Sequence, residues 1–295
     1  MTIQSGNFSK LLEPGLRKVF FESYDEKPEQ YGSIFRVKGS KKAKETDYHV
    51  AGTGLWPVKG SMAPISYEDI EPGNEVTYIH VEYAKGMQVE RKLVDDEMYD
   101  VIDKMPKSLG RGARASVETL SCEVLNGGFA NVGYDGKALF ADDHPLIKGG
   151  VGDNLMDKVL TDANLKTAIV LFRRQPSEEN LKIQAKPDRL IIPPDLEFTA
   201  ITIMESKQKS GTPNNDINAI RGKLDIVVLD YLTSATAWFL QDTSLHELTF
   251  FWRIKPEFKG EENFDTMIAK YRGYMRFSCG YSNWRGMLGS DGTQA

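Results

Sequence analysis

The sequence predicts an α+β fold organised around one long helix, and three observations predict it. Between Leu93 and Gly128 apolar residues recur at helical spacing. The stretch before it, 74–92, alternates with the period of a strand. Apolar strand-like runs return near the end, at 248–254 and 272–279. Strand, long helix, mixed segment and closing strands in that order predict a sheet completed by both ends of the chain.

The helix carries the plainest pattern. Met98, Ile102, Met105, Leu109, Ala113, Val117, Leu120 and Val124 follow one another about 3.7 residues apart, close to the 3.6 of an α-helix. Asp95 or Asp96 suits the cap, while Glu97, Asp100 and Asp103 suit the positive end of the helix dipole. Asn126-Gly127-Gly128 reads as a stop. Unbroken, such a helix spans about 50 Å at 1.5 Å per residue, a beam rather than a core filler. Pro106, Gly110 and Gly112 interrupt the pattern. An interior proline costs ~3 kcal/mol or forces a kink, so a bend or a junction of two helices is expected between Lys104 and Gly112.

The remaining elements follow in chain order. Residues 1–33 hold one amphipathic turn signal, Leu11 to Leu16, then Val19-Phe20-Phe21. A short lone helix is marginal in water, so this arm is expected to lie on another surface, its own chain's or a neighbour's. Residues 34–73 are punctuated by Gly39, Gly52, Gly54, Pro57, Gly60, Pro64, Pro72 and Gly73 and are poor in core residues. So long a stretch of that kind is functional or disordered more often than structural. Tyr48, Val50, Leu55, Trp56 and Val58 suit a thin hairpin within it. Residues 74–92 read as a second hairpin turning at Ala84-Lys85-Gly86.

After the helix comes a Gly- and Asp-rich loop, 129–154. Asp162 suits the cap of a helix over 163–174, and Leu181–Ile183 and Leu190–Ile192 read as short strands. Asp195 suits the cap of Leu196 to Met204, and Leu224–Leu229 reads as a buried strand. Ser234–Leu240 reads as a helical turn with Trp238 inward, and the tail from Trp284 is expected to fray.

Composition bounds the function. With 40% hydrophobic and 27% charged residues among 295, the chain is an ordinary soluble globular one with room for one large or two smaller domains. A net charge of −5 argues against wholesale binding of a nucleic acid backbone. The first thirty residues carry charges throughout, so no signal peptide is expected, and no apolar run is long enough to span a membrane. Cys122 and Cys279 read as reduced, buried thiols rather than a disulfide.

Chemistry-bearing motifs are few. Asp142-Asp143-His144 offers two carboxylates beside an imidazole for acid/base or metal work. Neighbouring residues in an extended chain point apart, so a solvated loop is the blander reading. His80 reads as a surface residue of a strand, and His49 and His246 stand isolated. Gly110-Arg111-Gly112 lacks the lysine of a phosphate cradle, Asn214-Asn215-Asp216 reads as a bare turn, and Phe250-Phe251-Trp252 as core strand. No catalytic, cofactor or metal site is assigned. The arm, the long helix and the thin charged loop cannot each bury their own apolar surface well alone, which makes a subunit of an assembly the leading class.

The order of several short motifs resembles the major head subunits of Mu-like phages. Leu12-Glu13-Pro14-Gly15-Leu16-Arg17-Lys18-Val19-Phe20-Phe21-Glu22 with Tyr24 resembles their opening. Asn215-Asp216-Ile217-Asn218, Asp230-Tyr231-Leu232, Ala237-Trp238-Phe239-Leu240 and Asn283-Trp284-Arg285-Gly286 are similar to later motifs. The resemblance runs nearly end to end. It implies the Hong Kong 97-type major capsid fold, with an N-terminal arm over 1–33, an E-loop over 34–73, a P-domain hairpin and spine helix over 74–150, an A-domain over 151–249, and P-domain C-terminal strands and tail over 250–295. It implies a non-enzymatic, cofactor-free major capsid protein that forms hexamers and pentamers of an icosahedral shell around double-stranded DNA. It further implies scaffold, portal and decoration proteins as partners, sequence-independent DNA packaging, no membrane, and a place in a virion assembled in the host cytoplasm. A nanocompartment shell on the same fold is the alternative, and an enzyme using the Asp142-Asp143-His144 loop a more distant one.

Charge suggests where copies meet. Residues 34–60 hold six Lys/Arg against Glu45 and Asp47, a balance of +4. Residues 90–103 hold Glu90, Asp95, Asp96, Glu97, Asp100 and Asp103 against Arg91 and Lys92, a balance of −4. Lys41, Lys42 and Lys44 are therefore expected to overlie the acidic start of a neighbour's helix. Lys59 is a further contact candidate by location alone. The covalent crosslinking known in the prototype of the fold is not carried over, since no matching motif is present.

Overall fold

A computed structural model describes residues 8–50, 52–62, 64–67, 72–90, 92–93, 96, 99–206, 217–263 and 268–294. The chain runs α1 (Phe8–Tyr24), β1 (Arg36–Gly39), β2 (Lys44–Val50), β3 (Pro72–Ile79), β4 (Val81–Glu90) and α2 (Tyr99–Asn126). Then come β5 (His144–Pro145), β6 (Val151–Gly152), β7 (Leu155–Lys158), α3 (Asp162–Arg173), β8 (Arg189–Ile192), α4 (Glu197–Glu205) and β9 (Asp225–Val228). β10 (Trp238–Gln241), β11 (Leu248–Asn263), β12 (Ile268–Tyr281) and β13 (Met287–Gln294) close the chain.

The expected break in the long helix does not occur: α2 runs 28 residues with Pro106 inside it, about 42 Å at 1.5 Å per residue. Packing explains why. Ile102, Leu109, Val117, Cys122 and Leu125 are buried along the helix. Each full burial of an aliphatic side chain is worth about 1.5–3 kcal/mol, so a few of them offset the ~3 kcal/mol of an interior proline. Gly110 is not a breaker either. A Cβ there would collide with the Phe20 carbonyl oxygen and lie 3.2 Å from the Tyr24 nitrogen, so the residue marks where α1 crosses α2. The helix stops as expected, with Gly127 N donating to Glu123 O at 2.9 Å and Gly128 N to Leu125 O at 3.0 Å.

The arm finds its surface at home. Leu16 and Phe20 of α1 are buried in one cluster with Ile102, Leu109, Phe258 and Tyr271. Of the two surfaces expected for the arm, its own chain's and a neighbour's, the first is the one its apolar side covers. Gly110→Val is expected to push the two helices apart and cost about 1–3 kcal/mol in urea unfolding. An unchanged midpoint would show that the crossing is loose.

Beneath α2 lies a four-stranded sheet in the order β1-β11-β12-β4, joining early and late parts of the chain as expected. β1 is parallel to β11, with Gly39 opposite Trp252. β12 is antiparallel to both β11 and β4. The hairpin expected over 74–92 is replaced by two strands that do not pair with each other. β3 pairs with β2, while β4 pairs with β12 over ten residues, Ala84-Lys85-Gly86 lying opposite Tyr274, Gly273 and Arg272. The long ladder overrides the local turn signal, because an isolated hairpin is marginal in water. The thin hairpin expected within 48–58 is likewise replaced: Tyr48 and Val50 belong to β2, whose partner is β3.

The second sheet has the order β7-β13-β10-β8-β9. Leu190, Ile192, Trp238, Leu240 and Leu288 pack there with Leu165, Ala168 and Phe172 of α3 and Ala200 and Met204 of α4. Three expectations are corrected. Ser234–Leu240 holds a strand, although Trp238 is inward as expected. The tail does not fray but forms β13, between β7 and β10. Leu181–Ile183 is no strand; an isolated bridge joins Pro176 to Lys182. The cap of α3 is Thr161, whose side chain accepts from Asn164 N, rather than Asp162. Asp195 sits in a 3-10 turn before α4, and α4 has no side-chain cap. Both cysteines are free thiols, as expected.

Candidate interaction surface

Outside the two sheets, β2 and β3 form a two-stranded ribbon. At its root Tyr78 is buried edge-on to Phe251, with ring centroids 5.2 Å apart. His80 is buried too, its Nδ1 2.9 Å from Ser278 Oγ. The surface position expected for His80 is therefore wrong: the strand alternation was real, but Phe251 of β11 and Ser278 of β12 close over its inner side. Burial pushes the imidazole below its ordinary range, and Arg276 adds to that.

Beyond the root the ribbon ends in a stretch with its apolar side chains in solvent. Leu55 is 80% exposed, Trp56 90%, Val58 99%, Met62 100% and Tyr67 90%. Burying a single such side chain is worth about 1.5–3 kcal/mol, a gain open to any partner that covers them. Exposed apolar area of this kind marks an interaction site.

The predicted contact lysines lie on the same ribbon and beside it. Lys41, Lys42 and Lys44 are exposed where β1 passes into β2, and Lys59 is exposed in the distal stretch. Lys42 already has a partner, Glu45, at 3.3 Å. Ser40 Oγ also donates to Glu45 Oε1 at 2.7 Å, and this bond, with Lys42, holds the carboxyl below its ordinary range. Of the acidic candidates, Glu90 and Asp96 are exposed and Asp103 is half-buried on α2. Asp100 lies in α2, its side chain undescribed, and Asp95 and Glu97 fall outside the described residues, as does Asn214-Asn215-Asp216. A groove of about 870 Å³ runs between α2 and β4, lined by Met87, Val101, Met105, Leu109 and Met275.

The Asp142-Asp143-His144 loop does not bring its three side chains together. Asp142 and Asp143 are exposed, and Asp143 pairs with Lys137. His144 turns the other way and is 1% exposed, which corrects the solvated reading of that residue. Its Nδ1 lies 2.6 Å from Asp135 Oδ2 and its Nε2 3.1 Å from Asn154 Oδ1. The ring stacks on Trp284 at 4.4 Å. Among the described residues no cluster of His, Cys, Asp or Glu suits a metal ion, and no helix is long and apolar enough to cross a membrane.

His49 and His246 are not isolated either. His246 is buried and its Nδ1 accepts from Leu248 N at 3.2 Å. Burial, then Arg36 and Arg189, hold its imidazole down at about 4. His49 Nε2 lies 3.0 Å from Glu178 Oε1. That carboxylate also takes Arg285 Nη1 at 2.7 Å and Ile147 N at 3.0 Å. Burial pushes Glu178 up, but the His49, Ile147 and Arg285 contacts outweigh it and hold the group at about 2. Sequence reading missed this network because its charged and imidazole members, His49, Glu178 and Arg285, are each separated by more than a hundred residues.

Comparison with known proteins puts these surfaces in context. The model of a family described as phage capsid protein matches residues 74–289. A Mu-like prophage FluMu major head subunit of Haemophilus influenzae is 26% identical over 140 residues, 46% of this chain and 44% of that relative. The chain thus spans about half the length of the curated relative it matches. The procapsid of bacteriophage JBD30 superposes with a TM-score of 0.52 at 18% identity, covering 95% of this chain and 74% of that one. The virus-like particle of Pyrococcus furiosus superposes with a TM-score of 0.58 at 11% identity, covering 94% and 98%. At these identities the structural likeness carries the fold alone, and that fold is the Hong Kong 97 type.

Proposed function

Since the chain belongs to the phage capsid protein family, we propose that it is the major head subunit of a tailed phage, one tile of a closed shell around double-stranded DNA. The observation that carries this reading is the ribbon, whose distal apolar side chains are exposed in the single chain. Copies of the chain are the partner that covers them, in hexamers and pentamers assembled in the host cytoplasm with scaffold and portal proteins. The chain works without catalysis or cofactor. Its units are a peripheral one under α2, built on β1, β4, β11 and β12, and an axial one holding β7 to β10 and β13, with the E-loop as the ribbon inserted between β1 and β4.

Purified protein viewed by negative-stain electron microscopy tests the reading. Closed particles of uniform diameter are expected. A chain that stays monomeric at high concentration overturns it. A cargo-enclosing nanocompartment shell on the same fold is the second reading. Genes for portal and terminase beside this one, rather than a cargo enzyme, exclude it.

The lysines at the base of the ribbon set register on a neighbour's acidic helix start. Exposed pairs are worth only ~0–1 kcal/mol each, so they choose geometry more than strength. Reversing Lys41, Lys42 and Lys44 together to Glu is expected to impair particle assembly while circular dichroism and melting of the monomer stay unchanged. Normal shells from the triple variant refute this contact.

A further inference from the structure

The ribbon meets the body of the chain at its root and again much further out. The root is the apolar seat of Tyr78 against Phe251, with His80 beside it. Further along β2, His49 reaches Glu178. From Lys44, which lies opposite Ile79, to His49 is five residues, about 17 Å of extended strand. Between the two supports the ribbon stands off the body. A gap of about 560 Å³ separates Glu75–Ile79 from the end of α2, Asn131 and Tyr281. A beam held at one end by packing and further out by the polar bond from His49 to Glu178 takes its angle from that bond.

The partner of His49 is a fixed post. The Glu178 side chain is 9% exposed, and Arg285 and the Ile147 amide hold it independently of the ribbon. Arg285 is itself tied down, donating from Nε to Pro176 O at 2.6 Å and lying over the Trp284 ring. On the ribbon side, β3 closes directly on His49: a Cβ at Gly73 would come 2.8 Å from the His49 carbonyl oxygen. Tyr134 flanks the ring, with centroids 6.4 Å apart. His49 thus transmits the position of the body to both strands of the ribbon.

We propose that His49 is a positioning residue for self-assembly. Engaged with Glu178, it fixes the angle at which the ribbon leaves the body. Released, it lets the ribbon pivot on the Tyr78–His80 root, so that one sequence meets neighbours at more than one inclination. The proposal rests on the shell-subunit reading, but the clamp itself is measurable in the unassembled chain.

The test compares His49→Ala with His49→Gln in the full chain. The glutamine side-chain amide still donates to Glu178. Spin labels on Lys59→Cys and Lys166→Cys report the distance from the distal ribbon to the body, and the native cysteines are buried or half-buried. In unassembled protein His49→Ala is expected to broaden the distance distribution at least twofold, and His49→Gln to restore it, with melting unchanged in both. After assembly His49→Ala is expected to give particles of mixed diameter and His49→Gln uniform ones. A distribution unchanged by His49→Ala overturns the clamp. So does broadening accompanied by lost melting cooperativity, which marks a merely structural role. If the unsubstituted chain forms no particles, the shell reading fails, and the distances in the free chain still decide the clamp.

Discussion

Ending the chain at Gly286 is expected to abolish folding of the five-stranded sheet. The nine residues removed look dispensable, with four polar residues and two glycines among them. Yet β13 lies between β7 and β10, and Met287, Leu288, Gly289 and Ser290 are fully buried. Its loss exposes the backbone edges of two strands and uncovers Phe140, against which a Cβ at Gly289 would press at 2.6 Å. The ladder to β10 goes as well. Orphaned buried donors and acceptors cost about 1–3 kcal/mol each, so a few of them exhaust the 5–15 kcal/mol of a typical domain. Soluble, cooperatively melting protein from the truncated gene contradicts this.

Glu178→Gln is the second large effect. The change is nearly isosteric, but it leaves the Arg285 guanidinium buried without a counter-charge. Breaking a buried pair from one side costs about 3–5 kcal/mol, read as a shift in the urea midpoint. A cost below about 1 kcal/mol refutes the pair as a structural tie. The same group dictates an acid limb. The folded carboxyl sits at about 2, against an ordinary value of 4.5. The unfolded chain therefore takes up the proton first, and the stability present above 4.5 drains as pH falls toward 2. His246 acts in the same direction at higher pH. Its folded value of about 4 lies below the ordinary 6.5, so stability drains between those two values as the unfolded imidazole charges. Glu178→Gln is expected to remove the lower limb and leave the upper one.

What the sequence made legible was set by range. α2 was readable because its pattern repeats locally, and β9, β11 and β12 because their apolar runs are dense. The interruption at Pro106 was misjudged because the compensating contact, α1 at Gly110, lies about ninety residues away in sequence. β13 was missed for the opposite reason: its composition is that of a loop, and only two distant strands make it a strand. The core-poor segment 34–73 holds only one strand of the ribbon, β2; its partner β3 lies mostly in the stretch read as a separate hairpin, and their pairing spans a connection with no hairpin signal. The exposed lysines were visible as charge, whereas His49, Glu178 and Arg285 carry no pattern until folding brings them together.

The ribbon's legs enter the four-stranded sheet on opposite margins. One continues β1, which ends at Gly39 opposite Trp252. The other feeds β4, which begins at Val81 opposite Phe277, itself opposite Trp252. Both legs therefore arrive at the same height, three strand spacings or about 14 Å apart. The arrangement is a stirrup. Tension from a pulled neighbour divides between the two margins instead of peeling one strand, and it meets in the middle at β11 and β12, the longest strands in the chain. Internal pressure on a container of such stirrups would load hydrogen-bond ladders in shear, the direction in which they yield last.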